Sequence, residues 1–306
     1  MVVAMANPQY VWFDGKFVDF AKATVHVLTH SLQYGSGVFE GIRAYETAKG
    51  KAIFRLQEHI ARFMRGIKVM SLPVRFSGRQ LSDAVVKTVI KNRQKECYIR
   101  PFAFYNDKNI GLGTANKKAS VIIATIPLAA YFSKKNTGIG CMVSSWSRIN
   151  STIIPPEVKA SGNYLNSILA SSEAKRLGMD EAIMLSIDGY VAEGPGENIF
   201  IVEDEKLITP PREADILPGI TRDSVIQLAK ANGISVEERN IHREELFTCD
   251  EAFFCGTAAE ITPILKIDAY KLGNGKIGNT TRQITDYYTR AVHGAYEEFE
   301  SWLTYV

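Results

Sequence analysis

Three short stretches in the second half of the chain put reactive side chains where chemistry could use them. They are Lys159-Ala-Ser-Gly-Asn-Tyr164, Glu193-Gly-Pro-Gly-Glu-Asn198 and Leu217-Pro-Gly-Ile-Thr-Arg222. Lys159 stands among small residues just before a predicted helix. An amine buried there is pushed toward its neutral, nucleophilic form, because desolvation penalises the ammonium. Glu193 ends a predicted strand at a glycine-rich turn, where the backbone can approach a ligand closely and a carboxylate can pair with a ring nitrogen. Leu217-Pro-Gly-Ile-Thr221 runs into a predicted helix with Thr221 as its N-cap, and the free amides and dipole of such an end suit a phosphate. Gly256-Thr-Ala258, after a strand, offers amides and a hydroxyl to another anion.

Taken singly, each group has a plainer reading. A lone lysine is usually a solvated surface residue. Tyr164, five residues on, is more often a half-buried core tyrosine. A Gly-Pro-Gly turn between two glutamates is most simply a polar loop, and most capped helices bind nothing. Together they supply an amine for a carbonyl, an anion for a pyridine nitrogen and a phosphate cradle. Those are the groups that hold and tune pyridoxal 5′-phosphate.

The bulk properties leave that reading open and close others. At 306 residues the chain is long enough for two domains. Its composition, 46% hydrophobic and 23% charged, is that of an ordinary globular protein. A net charge of +3 without a basic block implies no nucleic-acid partner. No charged segment followed by an apolar run opens Met1–Pro8, and no apolar stretch is long enough to span a bilayer, so the expected location is the cytoplasm. Cys97, Cys141, Cys249 and Cys255 form no C-x-x-C pair. His26 and His30 fall in an alternating, strand-like run without a carboxylate at ligand spacing, so no metal is expected. Gly35-Ser-Gly37 and Gly111-Leu-Gly113 lack the context of a nucleotide-binding turn.

Two α+β domains must position these groups, rather than one doubly wound sheet. The first, residues 1–126, begins with strands 10–13 and 16–20 around the hairpin turn Asp14-Gly15. Strands at 37–45 and 52–54 follow, joined by a turn at Lys49-Gly50-Lys51. A helix over 57–70 turns Ile60, Phe63, Met64 and Ile67 to one face, and a second opens with the capping box Ser77…Gln80. Strands 97–105 and 119–125 follow, and Pro101 predicts an edge position or a bulge for the former. A linker is expected over 127–140. The second domain, 141–306, holds strand 141–146, a helix over 163–176, a hairpin tipped by Asp188-Gly189, and strands 199–202 and 206–209. A helix over 222–232, strand 251–255 and a terminal helix over 280–300 complete it. A ligand would be expected in the cleft between domains.

In this order the motifs resemble the fold-type IV, class IV pyridoxal-phosphate enzymes. Within them, Tyr34-Gly-Ser-Gly-Val-Phe-Glu-Gly-Ile-Arg43 and Tyr98-Ile-Arg-Pro101 are similar to the branched-chain amino-acid aminotransferases, from about Tyr10 to near the end. The resemblance implies a small N-terminal domain and a larger C-terminal one with the cofactor between them. It implies that Lys159 joins the cofactor covalently and carries the proton at the substrate α-carbon. Glu193, supported by Glu197, would pair with the pyridine nitrogen, and Tyr164 with the ring oxygen. Arg62, Ile220, Thr221 and Thr257 would hold the phosphate. Without the resemblance, Arg62 reads as an exposed partner of Glu58 one turn away.

For substrate, the resemblance implies the Thr257 and Ala258 amides for the α-carboxylate. Phe39, Tyr131, Tyr34, Arg43, Leu112 and Leu128 would bound the side-chain site. Arg100 with Tyr98 would read the γ-carboxylate of the acidic partner while tolerating an aliphatic one. Tyr34 and the Gly111–Gly113 loop would reach the site from a neighbouring subunit, which implies at least a homodimer. Two departures stand out: Leu128 replaces a common tryptophan, and Pro195 a small residue. The expected activity is reversible amino transfer between L-leucine, L-isoleucine or L-valine and 2-oxoglutarate. The alternatives are a D-amino-acid or (R)-amine transaminase, an aminodeoxychorismate lyase, or a cofactor-free scaffold on the same fold.

Overall fold

A computed structural model describes residues 8–109, 111–127 and 137–306. The chain forms two compact units, one of Met1–Ala129, Val158–Gly162 and Ala291–Val306, the other of Ala130–Glu157 and Asn163–Arg290. The expected divisions at 126 and 141 run linearly along the chain. The units instead draw 158–162 and 291–306 into the first, because both segments pair with its strands. Residues 128–136 of the expected linker, with Leu128 and Tyr131, lie outside the described residues.

In the first unit, β1 (Tyr10–Phe13) and β2 (Lys16–Asp19) meet at Asp14-Gly15, where both residues have positive φ (48° and 97°), as the hairpin pattern requires. The alternating run at 24–30, expected as strand, instead turns into α1 (His30–Tyr34). Its apolar side chains have no facing layer: Val25, Val27 and Leu28 are exposed. Next come β3 (Gly37–Phe39), β4 (Ile42–Thr47), β5 (Gly50–Phe54), α2 (Leu56–Val69), α3 (Gly78–Asn92), β6 (Cys97–Tyr105) and β7 (Ala119–Ile126). The capping box forms at α3, with Ser77 and Gln80 bonding reciprocally.

Among the described residues the sheet runs β17 (Leu303–Tyr305), β5, β4, β6, β7, β1, β2, with β3 also on β6. Its last member, β17, comes from the chain's end and pairs antiparallel with β5. Contrary to the expectation from Pro101, β6 is central and unbulged, and the proline instead interrupts its neighbour. Phe39 faces Phe102 and Ile42 faces Ile99, so β3 and β4 keep one register, and the gap at Glu40-Gly41 lies opposite Arg100-Pro101. The Glu40 N–H still donates to the Pro101 carbonyl (2.9 Å), but Pro101 has no N–H to return. The core behind this sheet holds Val38, Ile42, Ile99 and Ala103 with Leu56, Ile60, Phe63 and Ile67 of α2 and Leu81, Val85 and Val89 of α3. Burial of each large side chain contributes about 1.5–3 kcal/mol.

The second unit begins with β8 (Ile139–Val143), α4 (Tyr164–Arg176), β9 (Glu181–Leu185), β10 (Val191–Glu193), β11 (Asn198–Glu203) and β12 (Lys206–Thr209). It continues through α5 (Ile220–Ala231), β13 (Val236–Glu238), α6 (Glu245–Thr248), β14 (Glu251–Gly256), β15 (Glu260–Ile267), β16 (Tyr270–Lys271) and α7 (Asn279–Val292). The sheet is mixed, in the order β10-β9-β8-β15-β14-β11-β12-β13, with β16 on β15. The pairs β8–β15, β8–β9 and β12–β13 are parallel. The last helix is shorter than its sequence pattern suggested. It ends at Val292, Gly294 turns the chain at φ 71°, and the rest continues to β17. No helix among the described residues is long and apolar enough to cross a membrane.

Candidate active site

In the first unit, strand alternation sorts the residues between two sheet faces. Cross-strand partners share a face, so Phe39, Gly41 and Arg43 lie with Tyr98, Arg100 and Phe102, while Val38, Glu40 and Ile42 turn to α2. On the former face the Arg100 guanidinium lies 4.5 Å over the Phe39 ring and donates through Nη2 to the Tyr98 hydroxyl (3.0 Å). Gly41 makes room for this, because a Cβ there would come within 2.0 Å of the Tyr98 oxygen. Arg43, buried, pairs with Glu96 at 3.6 Å and packs over Tyr45.

Lys159 reaches this face by the same period of two. Val158 and Ala160 are buried in the core, Ala160 bridges to Val38, and the Lys159 carbonyl accepts from Phe39 N–H (3.0 Å). The half-buried Lys159 therefore points away from the core, with Nζ 5.2 Å from the Phe39 ring centre. One aromatic ring serves two cations, the lysine and Arg100. Gly162 packs directly on Gly35 (N–H to carbonyl, 3.0 Å), and Gly35, at φ 64°, ends α1 just after the half-exposed Tyr34. Leu112 is exposed.

The opposite face corrects the plainer reading of Arg62. It is buried and bonds Glu40, whereas Glu58 pairs with Arg55 (2.7 Å). Arg62 donates from Nε to Glu40 Oε1 (2.7 Å) and from Nη2 to Oε2 (2.9 Å), and His59 Nδ1 adds a contact to Oε2 (2.8 Å). Burial alone would raise the Glu40 carboxyl. The Arg62 charge and the hydrogen bonds from His59 and Arg62 outweigh it and hold the group far below the carboxylate range. Burial pushes the His59 imidazole down, against the opposing pull of Glu40.

The second unit gathers the remaining motifs. Glu193 ends β10 and is buried. Its Oε2 accepts from Asn198 Nδ2 (3.0 Å) and Leu217 N–H (3.1 Å), and its Oε1 lies 2.8 Å from Arg148 Nε. Asn198 Nδ2 also donates to the Leu217 carbonyl (3.0 Å), tying the acidic turn to the loop that enters α5. Glu197, also buried, accepts from Gly196 N–H (3.0 Å) and so shapes the turn. A Cβ on Gly256 would lie 3.5 Å from the Gly196 carbonyl, which places the Thr257-Ala258 turn beside it.

Helix α5 starts two residues earlier than its sequence suggested. Gly219, not Thr221, is the N-cap, and no side chain caps the helix. The cause is steric, since a Cβ on Gly219 would lie 1.9 Å from Asn198 Oδ1. Ile220 and Thr221 thus occupy the first turn, where helix geometry directs backbone N–H groups outward along the axis. Tyr164 opens α4 and is half-buried.

These residues fit pyridoxal phosphate. Taken unit by unit, the first offers an amine suited to its carbonyl at Lys159 and a guanidinium suited to an anion at Arg62, and the second offers a helix start suited to a phosphate and a buried carboxylate, Glu193, suited to a ring nitrogen. Arg148 Nη1 is buried and has no acceptor among the described residues, as expected of a donor facing a bound polar group. Sequence reading missed Glu40, His59, Asn198 and Arg148. Glu40 alone left a trace, a carboxylate at a core-facing position of a strand.

The amino-transferase class IV family model matches residues 37–267. The chain is 43% identical over 300 residues to the branched-chain-amino-acid aminotransferase of Escherichia coli strain K12, covering 97% of each. It is also 43% identical to that of Pseudomonas aeruginosa over 298 residues, again 97% of each. Among solved structures it is similar to the branched-chain aminotransferase of Thermoproteus uzoniensis with norvaline (TM-score 0.93, 47% identity, 97% of this chain and 99% of that one). It is likewise similar to the branched-chain amino acid aminotransferase of Thermobaculum terrenum in its PLP-form (TM-score 0.92, 38% identity, 97% of this chain and 98% of that one).

Proposed function

Because the chain belongs to the amino-transferase class IV family, we propose that it is a pyridoxal-phosphate-dependent aminotransferase of branched-chain amino acids. It moves the amino group reversibly between L-leucine, L-isoleucine or L-valine and 2-oxoglutarate, in two half-reactions. The observation that carries this reading is the shared ring of Phe39, with the Lys159 amine on it at 5.2 Å and the Arg100–Tyr98 pair beside it at 4.5 Å. An amine and a reader of acidic side chains on one sheet face are what a single site for both substrates needs.

When bound, pyridoxal phosphate would supply the carbonyl that receives the amino group and a ring that takes up the electron pair left on the α-carbon when its proton departs. The rest falls to the chain. Lys159 Nζ holds and moves that proton. Glu193, with Arg148 as its counter-ion and Asn198 as its anchor, stands against the ring nitrogen, with Glu197 shaping the turn and Tyr164 at the ring oxygen. Arg62, the Ile220 and Thr221 amides and the Thr257 hydroxyl hold the phosphate. The Thr257 and Ala258 amides orient the α-carboxylate. Phe39, Tyr34, Arg43 and Leu112 bound the side-chain site. Arg100 meets a γ-carboxylate and rests on Phe39 and Tyr98 when the substrate is aliphatic.

The D-amino-acid, (R)-amine and lyase readings are not favoured, since relatives 43% identical over nearly their full length act on branched-chain amino acids. The four cysteines are free and buried, which supports work in the reducing cytoplasm. Leu165, Ile168 and Leu169 of α4 and the nearby Ile153 and Ile154 are exposed, an apolar surface that supports assembly as a homodimer. The test is half-reaction spectroscopy on the holoenzyme. L-Leucine, L-isoleucine and L-valine should each convert the bound cofactor to its amine form, and 2-oxoglutarate should restore it. Conversion by D-alanine or (R)-phenylethylamine but not by L-leucine would overturn the reading.

A further inference from the structure

We propose that Glu40 is the positioning residue for Arg62, fixing the plane and direction of the guanidinium before the cofactor phosphate arrives. The inference rests on the reading of Arg62 as a phosphate ligand and goes beyond it.

Glu40 is held from every side. Its backbone N–H bonds Pro101 across the gap between β3 and β4, and its carboxylate accepts from Arg62 Nε, Arg62 Nη2, His59 Nδ1 and Gly41 N–H (3.2 Å). The side chain is fully buried and cannot swing. A guanidinium has five N–H donors in one plane, and two parallel bonds to one carboxylate set that plane. Arg62 is therefore ordered before any anion binds, and the entropy of fixing a long side chain is not charged against phosphate affinity.

Ion pairs of this kind seldom add stability over an apolar replacement, because desolvating two charges offsets their attraction. Orientation is what an apolar pair could not supply. Charge and orientation also predict opposite signs. Removing the Glu40 charge leaves Arg62 unopposed and would strengthen attraction for a phosphate, whereas losing the two-point clamp would weaken binding.

The experiment measures the affinity of the apoprotein for pyridoxal phosphate and for pyridoxal, which lacks the phosphate. The variants are Glu40→Gln, Glu40→Asp, Arg62→Gln and Glu40→Gln with Arg62→Gln. Glu40→Asp keeps the charge and is the variant of record where Glu40→Gln does not fold. The expected result is that the ratio of the two affinities falls about tenfold in either Glu40 variant. Pyridoxal affinity should stay unchanged, and Glu40→Gln should cause no further fall once Arg62 is gone. A ratio unchanged or raised in the Glu40 variants, while Arg62→Gln lowers it, overturns the role of Glu40 alone. Equal losses for both ligands mark a merely structural residue and also overturn it. A ratio unchanged in Arg62→Gln overturns the phosphate role of Arg62, and the inference with it.

Discussion

The amide oxygen of Asn198 stands where a side chain on Gly219 would begin, 1.9 Å from the position of its Cβ. One contact therefore excludes any side-chain cap from α5 and fastens the start of that helix to the residue that also holds Glu193. Gly219→Ala should displace Asn198, at a cost of about 1–3 kcal/mol by overpacking. The variant should lose cofactor on gel filtration while keeping its secondary structure, measured by absorbance and circular dichroism. Full cofactor retention would show that the helix start tolerates the shift.

Lys159→Ala should leave the first unit folded, because Val158 and Ala160, not Lys159, supply the core contacts of that segment. Borohydride should no longer fix the cofactor to the protein, and transamination should fall by several orders of magnitude. Mass spectrometry after reduction checks the first expectation and a steady-state assay the second.

Gly41→Ala should separate the two substrates. Its Cβ would meet the Tyr98 hydroxyl at 2.0 Å and break the Tyr98 bond to Arg100 Nη2. A lost hydrogen bond to a charged group is worth about 1.5–3 kcal/mol. KM for 2-oxoglutarate should rise roughly tenfold, while KM for the leucine-derived 2-oxo acid should change less. Equal rises would place the effect elsewhere.

Acidification should weaken the fold through His59 before it does so through Glu40. Native His59 lies below its ordinary value of 6.5, so as pH falls past that value the unfolded chain takes up a proton that the native one refuses. Stability is then lost, by at most about 1.4 kcal/mol per pH unit. Glu40, depressed far below 4.5, keeps its contribution above that value and loses it only in stronger acid. Urea midpoints at pH 7.5 and 5.5 should fall less for His59→Gln than for the unaltered protein.

Trp302 should prove central to the first unit. Its carbonyl accepts from Arg55 N–H (2.7 Å), and its ring packs on Phe54, Phe299 and the Arg55 guanidinium. Trp302→Ala should cost about 3 kcal/mol, read as a lowered denaturation midpoint.

Local chemistry was legible wherever a residue acts on its own neighbours. The Asp14-Gly15 turn, the Ser77…Gln80 box, the apolar faces of α2 and α3, and the strands flanking Gly194-Pro-Gly196 follow from backbone preference and periodicity alone. The strand end at Glu193 and, to within two residues, the start of α5 were also legible. Pro101 was misread because its cost depends on the facing residue: a central strand accepts it where the neighbour breaks at Glu40-Gly41. The cap of α5 falls at Gly219 rather than Thr221, and Asn198, 21 positions before that glycine, fills the space a side chain there would need.

Residue types and spacing thus determined which groups stand ready for chemistry, an amine at Lys159, an acid at Glu193 and a helix start after Pro218, while the burial of Arg62 and the bare cap of α5 came only from the structure. Tertiary structure decided their company. Glu40 meets Arg62 and His59, Arg148 meets Glu193, and Lys159 shares the ring of Phe39 with Arg100 only because distant strands and helices bring them within about 3–5 Å. At that range burial and charge, which depend on every packed neighbour, set what each group does.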